Sequence, residues 1–369
     1  MLVVIVIIGL LAALVLPNIR GHSESIAINA ACRQFVEDLA FARQKAISQR
    51  STVAVVFLSR IIFSQSDFPL NSTNYVPVAT PFDAHGAIDF AGYTKVIEHV
   101  LDGGARGLVP CGTTGEYYAL SGEERVRQLD HCSSVAAGRA QLVAGCNAGS
   151  TREAIALATD AAELGYDAVM LAAPPTSLPT QRELAAHFVA VAEGAGLPVI
   201  LYNFPARAGV EIGFECLDAV ADRPEVIAIK ESSGDFSRFL HLRRRYEGRL
   251  TIMCGSDDQA VDYFAWGVRS WLAGTANVLP REHAEIMAAA NRGDIAAARQ
   301  LFDAILPWVQ NMEAGQYNQK IKLGLARNGI DCGAVRAPLG PLDDSTAAEN
   351  RDALEAAVAA YAAIAPVRA

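Results

Sequence analysis

The sequence predicts a closed parallel α/β barrel of eight β-α units, a (β/α)8 fold, with a C-terminal helical layer and an apolar helix in front. Three observations lead there. Short apolar runs recur eight times between residues 76 and 275, and each precedes a stretch of helical periodicity. The runs are continuous rather than alternating, which suits strands covered on both faces. Ala-rich segments at 295–312, 316–328 and 347–363 then follow without further strands. Eight units of similar length favour closure; an open doubly wound sheet is the alternative.

At 369 residues, the chain suits one large domain plus an extension. It is 51% hydrophobic and 19% charged, enough to bury a sizeable core and to exclude wholesale disorder. The net charge of −9 provides no basic field for nucleic acid. Seven scattered cysteines with no C-x-x-C pair point to a reducing compartment rather than a disulfide framework or zinc site.

In chain order, residues Leu2–Leu16 read LVVIVIIGLLAALVL, without a charge, before Pro17. A membrane span needs about 17–25 apolar residues, so this run sits at the short limit, and its flanks do not suit a cleaved signal peptide. A buried helix is the plain alternative. Apolar residues then recur at helical spacing from Ile28 to Ala46, and Thr52–Leu58 reads as a strand. This order resembles the start of a type IV pilin-like protein, a minor pseudopilin of type II secretion above all, over residues 1–60. The family's Gly-Phe before a Glu does not precede the run here. The resemblance implies inner-membrane anchoring through residues 2–17. Residues 61–74 read as a linker.

The barrel is expected over 75–295. Its strands are VPVAT (76–80), GLVPC (107–111), QLVAGC (141–146), AVMLAA (168–173), PVILYN (198–203), VIAIKE (226–231), LTIMCG (250–255) and SWLAGT (270–275). Helical periodicity marks 122–138, 151–164 and 181–194 between them, and 296–369 forms the C-terminal helical region.

Catalytic groups of such a barrel sit at the C-terminal ends of strands. Of the five lysines, only Lys230 ends an apolar strand; the other four lie in polar helical or loop contexts. Burial at a barrel mouth disfavours an ammonium, and a neutral amine can attack a ketone to form a Schiff base. A rim salt bridge, with Glu231 as partner, is the plain alternative. Tyr202 ends the preceding strand, about 5 Å away in a barrel, so its phenol can exchange protons at that amine. An aromatic plug is the competing reading. Gly112-Thr-Thr-Gly-Glu116 follows the second strand, where converging N–H groups and two hydroxyls suit a carboxylate, although such turns are also ordinary connectors. Arg207 can pair bidentately with a second carboxylate or remain a solvated loop residue. The histidines show no metal-binding spacing, and Cys111 reads as packing.

GTTGE, YNFPARAG and IKES, with VATPF, GSDD and GTANV, resemble the dihydrodipicolinate synthase / N-acetylneuraminate lyase family over about 75–369. The resemblance implies a class I lyase or aldolase without metal or other cofactor, acting on pyruvate or another 2-oxo acid held as a Schiff base on Lys230. It further implies Tyr202 as acid/base, Thr113 and Thr114 on the carboxylate with Thr114 relaying protons, and Gly255 and Leu272 lining the pocket. A cytoplasmic homotetramer, a dimer of dimers, is implied as well.

One segment departs from the synthase pattern. The synthase's Pro-Tyr-Tyr after strand four, whose second tyrosine crosses to a neighbouring subunit, is Pro174-Pro-Thr-Ser177 here, and Ala208 follows Arg207. Lysine-biosynthesis activity is therefore less expected than Schiff-base chemistry on another 2-oxo acid or cyclic imine. The synthase itself, a dehydratase and a deaminase remain alternatives, as does a pilin-like secretion component with the barrel as cargo.

Overall fold

Eight parallel strands pair in chain order and close, the last on the first. They are β1 (Thr73–Val76), β2 (Gly107–Leu108), β3 (Gln141–Gly145), β4 (Ala168–Ala172), β5 (Val199–Asn203), β6 (Val226–Glu231), β7 (Thr251–Cys254) and β8 (Ser270–Leu272). The computed structural model describes residues 73–364, all within the unit Ile61–Ala369. The pilin-like reading of 1–60 lies outside these residues, as does the expected linker apart from Thr73 and Asn74.

Those two residues open β1, which starts earlier than the VPVAT run. Pro77 explains the shift: without an N–H it cannot continue the ladder. Val109 N–H still reaches Val76 O at 2.8 Å and Val78 N–H reaches Val109 O at 3.2 Å, so VPVAT follows the barrel wall irregularly.

Helices cover the outside: α1 (Phe90–Asp102), α2 (Gly122–Ala136), α3 (Thr151–Glu163), α4 (Gln181–Ala195), α5 (Phe214–Val220), α6 (Phe236–Tyr246), α7 (Ala260–Ala265) and α8 (Pro280–Asn291). Their starts have local causes. Ser121 with Glu124 and Thr180 with Glu183 form reciprocal caps, and Asp89, Ser150 and Asp235 each accept an N–H of the first turn. Three more helices follow: α9 (Ile295–Glu313), α10 (Tyr317–Arg327) and α11 (Asp344–Ile364). Among the described residues, no helix is long and apolar enough to cross a membrane.

The core has two parts. Tyr75, Val143, Met170, Ile200, Ala228, Met253 and Leu272 fill the barrel interior, while a larger apolar layer lies between strands and helices. Strand alternation decides which side each residue serves. On β5, Ile200 and Tyr202 point inward and Leu201 outward; on β6, Ala228 points inward and Ile229 outward. Lys230 therefore falls on the inner face and Glu231 on the outer.

Candidate active site

Register places the two sequence-selected residues side by side: Tyr202 is directly opposite Lys230, and Asn203 opposite Glu231. The inner pair meets at the barrel mouth, where Lys230 Nζ lies 4.3 Å from the centroid of the Tyr202 ring. Both side chains are buried. The outer pair forms a separate network. Asn203 Nδ2 donates to both Glu231 oxygens at 3.0 Å, and Arg238 Nε donates to the same carboxylate at 3.0 Å. The rim salt bridge between Lys230 and Glu231 is thereby excluded, because neighbours on a strand face opposite ways.

The C-terminal strand ends surround a cavity of about 330 Å³. Lys230, Tyr202, Thr114, Thr113, Arg207, Gly255 and Leu272 all line it, so the residues expected from the sequence converge on one space. Gly255 is fitted to the lysine: a Cβ there would lie 2.6 Å from Lys230 Cε and 2.7 Å from its Cγ. Arg207 stands at the exposed rim with its guanidinium 5.4 Å from the Phe204 ring centroid.

The Gly112–Glu116 turn is held from several sides. Thr80 Oγ1 donates to Gly115 O at 2.6 Å, and Gln128 Nε2 donates to Thr80 Oγ1 at 2.6 Å. Asn318 Nδ2 donates to Thr113 O at 3.0 Å. The left-handed residues are Cys111 and Glu116, at φ 56° and 57°, rather than the two glycines. Gly115 has another reason to be glycine, since a Cβ would come within 2.9 Å of Val78 O. Fully buried Glu116 is paired with Lys322 Nζ at 2.8 Å and accepts Arg336 N–H at 3.0 Å. Cys111 is also buried, its thiol pushed up to about 12 by desolvation, which fits packing rather than nucleophilic use.

Strand-end reasoning missed a whole wall. Glu313, Tyr317 and Asn318, from the end of α9 and the start of α10, line the same cavity. Tyr317 packs on Gly274, where a Cβ would meet its Cε1 at 2.7 Å, and donates to Asp257 at 2.7 Å. Buried Asp257 also accepts Trp271 Nε1 at 3.1 Å and Thr275 Oγ1 at 2.9 Å. The expectation that the other four lysines sit in polar surroundings fails for Lys320 and Lys322. Both are buried, and desolvation holds both ammonium groups below their ordinary value. Neither lines the cavity. Thr176, where the synthase pattern is lost, is exposed in a turn at φ 73°. Among the described residues, no group of three His, Cys, Asp or Glu is placed to hold a metal ion.

A sequence profile of the dihydrodipicolinate synthetase family matches residues 72–357. The chain belongs to that family. It is 34% identical over 278 residues to a 4-hydroxy-tetrahydrodipicolinate synthase of Exiguobacterium, covering 75% of this chain and 95% of the relative. The corresponding protein of Marinobacter nauticus is 35% identical over 282 residues, covering 76% and 97%. Among solved structures, the chloride-inhibited dihydrodipicolinate synthase of Acinetobacter baumannii complexed with pyruvate aligns with TM-score 0.75 at 31% identity, over 78% of this chain and 99% of that one. The 4-hydroxy-tetrahydrodipicolinate synthase of Methylacidiphilum fumariolicum aligns with TM-score 0.75 at 29% identity, over 79% and 97%. As a dihydrodipicolinate synthetase family member, the chain is an enzyme, a lyase with a small-molecule substrate.

Proposed function

We propose that this family member is a class I lyase that binds pyruvate or another 2-oxo acid as a Schiff base on Lys230. The supporting observation is the convergence of Lys230, Tyr202, Thr113, Thr114 and Arg207, from three different strand ends, on one cavity. The pyruvate complex of the Acinetobacter relative supports the substrate class.

The Lys230 amine attacks the C2 carbonyl through its nitrogen lone pair, and the resulting carbinolamine loses water to give the imine. The Tyr202 phenol, whose ring packs against the amine, transfers the protons that these steps require. Thr113 and Thr114 hydroxyls with the turn's N–H groups receive the C1 carboxylate, and Thr114 bridges to Tyr202. The cationic imine then stabilises negative charge at C3, which permits bond formation or cleavage there. The chemistry needs no cofactor. Arg207 adds positive charge at the rim, while Gly255 and Leu272 shape the floor.

Borohydride reduction in the presence of pyruvate tests this. One pyruvyl unit is expected on Lys230, and trapping at the wild-type rate by Lys230→Ala would overturn the mechanism. On the family resemblance, the assembly is proposed to be a dimer of dimers, which sedimentation velocity measures directly. Free buried thiols at all six described cysteines fit a cytoplasmic setting.

A further inference from the structure

The cavity is mixed in character. Thr113, Thr114, Arg207 and Lys230 line it with donors and positive charge, and acceptors line it as well. Glu313, Asp258 and Gln259 stand there, and Gln259 Oε1 has no hydrogen-bond partner among the described residues. Ser232 is 8% exposed, lines the same cavity and has an Oγ with no hydrogen-bond partner among the described residues, beside the spot that a Gly255 Cβ would fill. A buried hydroxyl left unpaired is costly, so that position suits a polar group brought by a ligand.

We propose that Glu313, together with Ser232, reads the part of the substrate beyond the imine carbon and selects hydroxyl or ammonium donors there over a second carboxylate. The inference rests on the Schiff-base reading for the substrate's orientation. Glu313 ends α9 and reaches the turn after β7, where Asp257 and Asp258 face it; Lys230 faces it from β6 and Tyr317 from α10. Glu313 is exposed and lines the cavity, and its carboxyl is pushed up to about 7, first by desolvation against the cavity wall and then by the two aspartates, with Lys230 and the Asp257 N–H opposing. Burial also raises Asp258. Asp257 already accepts from Trp271, Thr275 and Tyr317, so it leaves those donors engaged. Adding a ligand carboxylate here would place like charges together, whereas a hydroxyl or ammonium would supply the missing donor.

Calorimetric titration of the full chain with a length-matched pair, 5-hydroxy-2-oxopentanoate and 2-oxoglutarate, tests the proposal. At pH 8 the wild type is expected to bind the hydroxy acid at least about tenfold more tightly, a ratio within reach of one like-charge contact. Glu313→Gln should bring the ratio to within about threefold. Lowering the pH to 6 protonates Glu313 and should shrink the wild-type ratio, while the Gln variant's ratio stays level. A wild-type ratio near one at pH 8, or a ratio unchanged by Glu313→Gln, would overturn the proposal. Borohydride trapping of pyruvate is scored separately, so loss of the Schiff-base reading is distinguishable from loss of this one.

Discussion

Lys322 Nζ and the Glu116 carboxylate meet 2.8 Å apart with almost no solvent access, joining α10 to the turn that carries Thr113 and Thr114. A buried pair of this kind is a weak source of net stability, but removing one member leaves the other charge uncompensated. The ammonium also lies 4.3 Å from the Phe82 ring centroid, so its stem and head are both packed. Lys322→Met, which keeps the stem, should therefore cost about 3–5 kcal/mol of unfolding free energy. Denaturant titration measures that loss. The same variant should raise KM for the 2-oxo acid, since the carboxylate turn loses its anchor.

Gly255 is predicted to tolerate no side chain. A methyl group would displace Lys230 at Cγ and Cε, moving the amine away from the attacking geometry. Misplacement of about 1 Å can cost on the order of 10²-fold in rate. Gly255→Ala should thus slow imine formation by that order while the protein remains folded. Single-turnover trapping together with circular dichroism checks both parts, and a wild-type rate would remove Gly255 from the positioning set.

Thr176 bears on which reaction follows the imine. A threonine hydroxyl is a poor acid, and its side chain ends in an exposed turn rather than at the cavity. Tyr117 and Tyr118 follow the carboxylate turn, but burial raises both phenols and the Tyr118 phenol oxygen, Oη, accepts Asn318 Nδ2 at 3.0 Å. Condensation of the pyruvate imine with aspartate semialdehyde should accordingly be weak, by about 10²–10⁴-fold against a site with a positioned donor. Thr176→Tyr should recover part of it. Wild-type turnover at the level of the synthase relatives would restore the lysine-biosynthesis assignment.

Glu124 gives stability a pH dependence. Its pairing with Arg336, then its hydrogen bonds at Ser121, hold the carboxyl at about 2, against an ordinary 4.5. A depressed acid contributes stability above its unfolded pKa and loses it as pH falls through the folded value. Arg336 also donates to Gly86 O and Ala119 O, tying the loop before α11 to the carboxylate turn's flank. Arg336→Gln should lower the unfolding midpoint more at pH 6.5 than at pH 3. An equal drop at both pH values would show that the pairing contributes nothing.

Much of this was legible in residues alone. The eight apolar runs and the position of Lys230 within VIAIK specify a strand end, and a strand end in a barrel specifies the mouth. Tyr202 follows because equal-length β-α units put consecutive strands in contact. Alternation along β6 also predicts that Lys230 and Glu231 cannot share a side, an implication that a simple charge-pair reading overlooks. Glu313 and Tyr317 were hidden for a different reason. They lie on helices after the last strand, and helical periodicity says which face is apolar without saying which end of the barrel the helix crosses. The burial of Lys322 was equally silent, because its partner Glu116 is two hundred residues earlier and only tertiary packing unites them. Pro77 was readable but misweighed: it shortens β1 although the surrounding residues are strongly apolar.

The cavity wall supplied by α9 and α10 has a consequence for how the enzyme comes into being. Every strand-end group of the barrel has been synthesised by Leu272, yet Glu313, Tyr317 and Asn318 emerge from the ribosome later. A nascent barrel thus has its amine before it has the wall that faces it. Substrate recognition matures last, as the tail of the polypeptide leaves the exit tunnel and folds across the mouth.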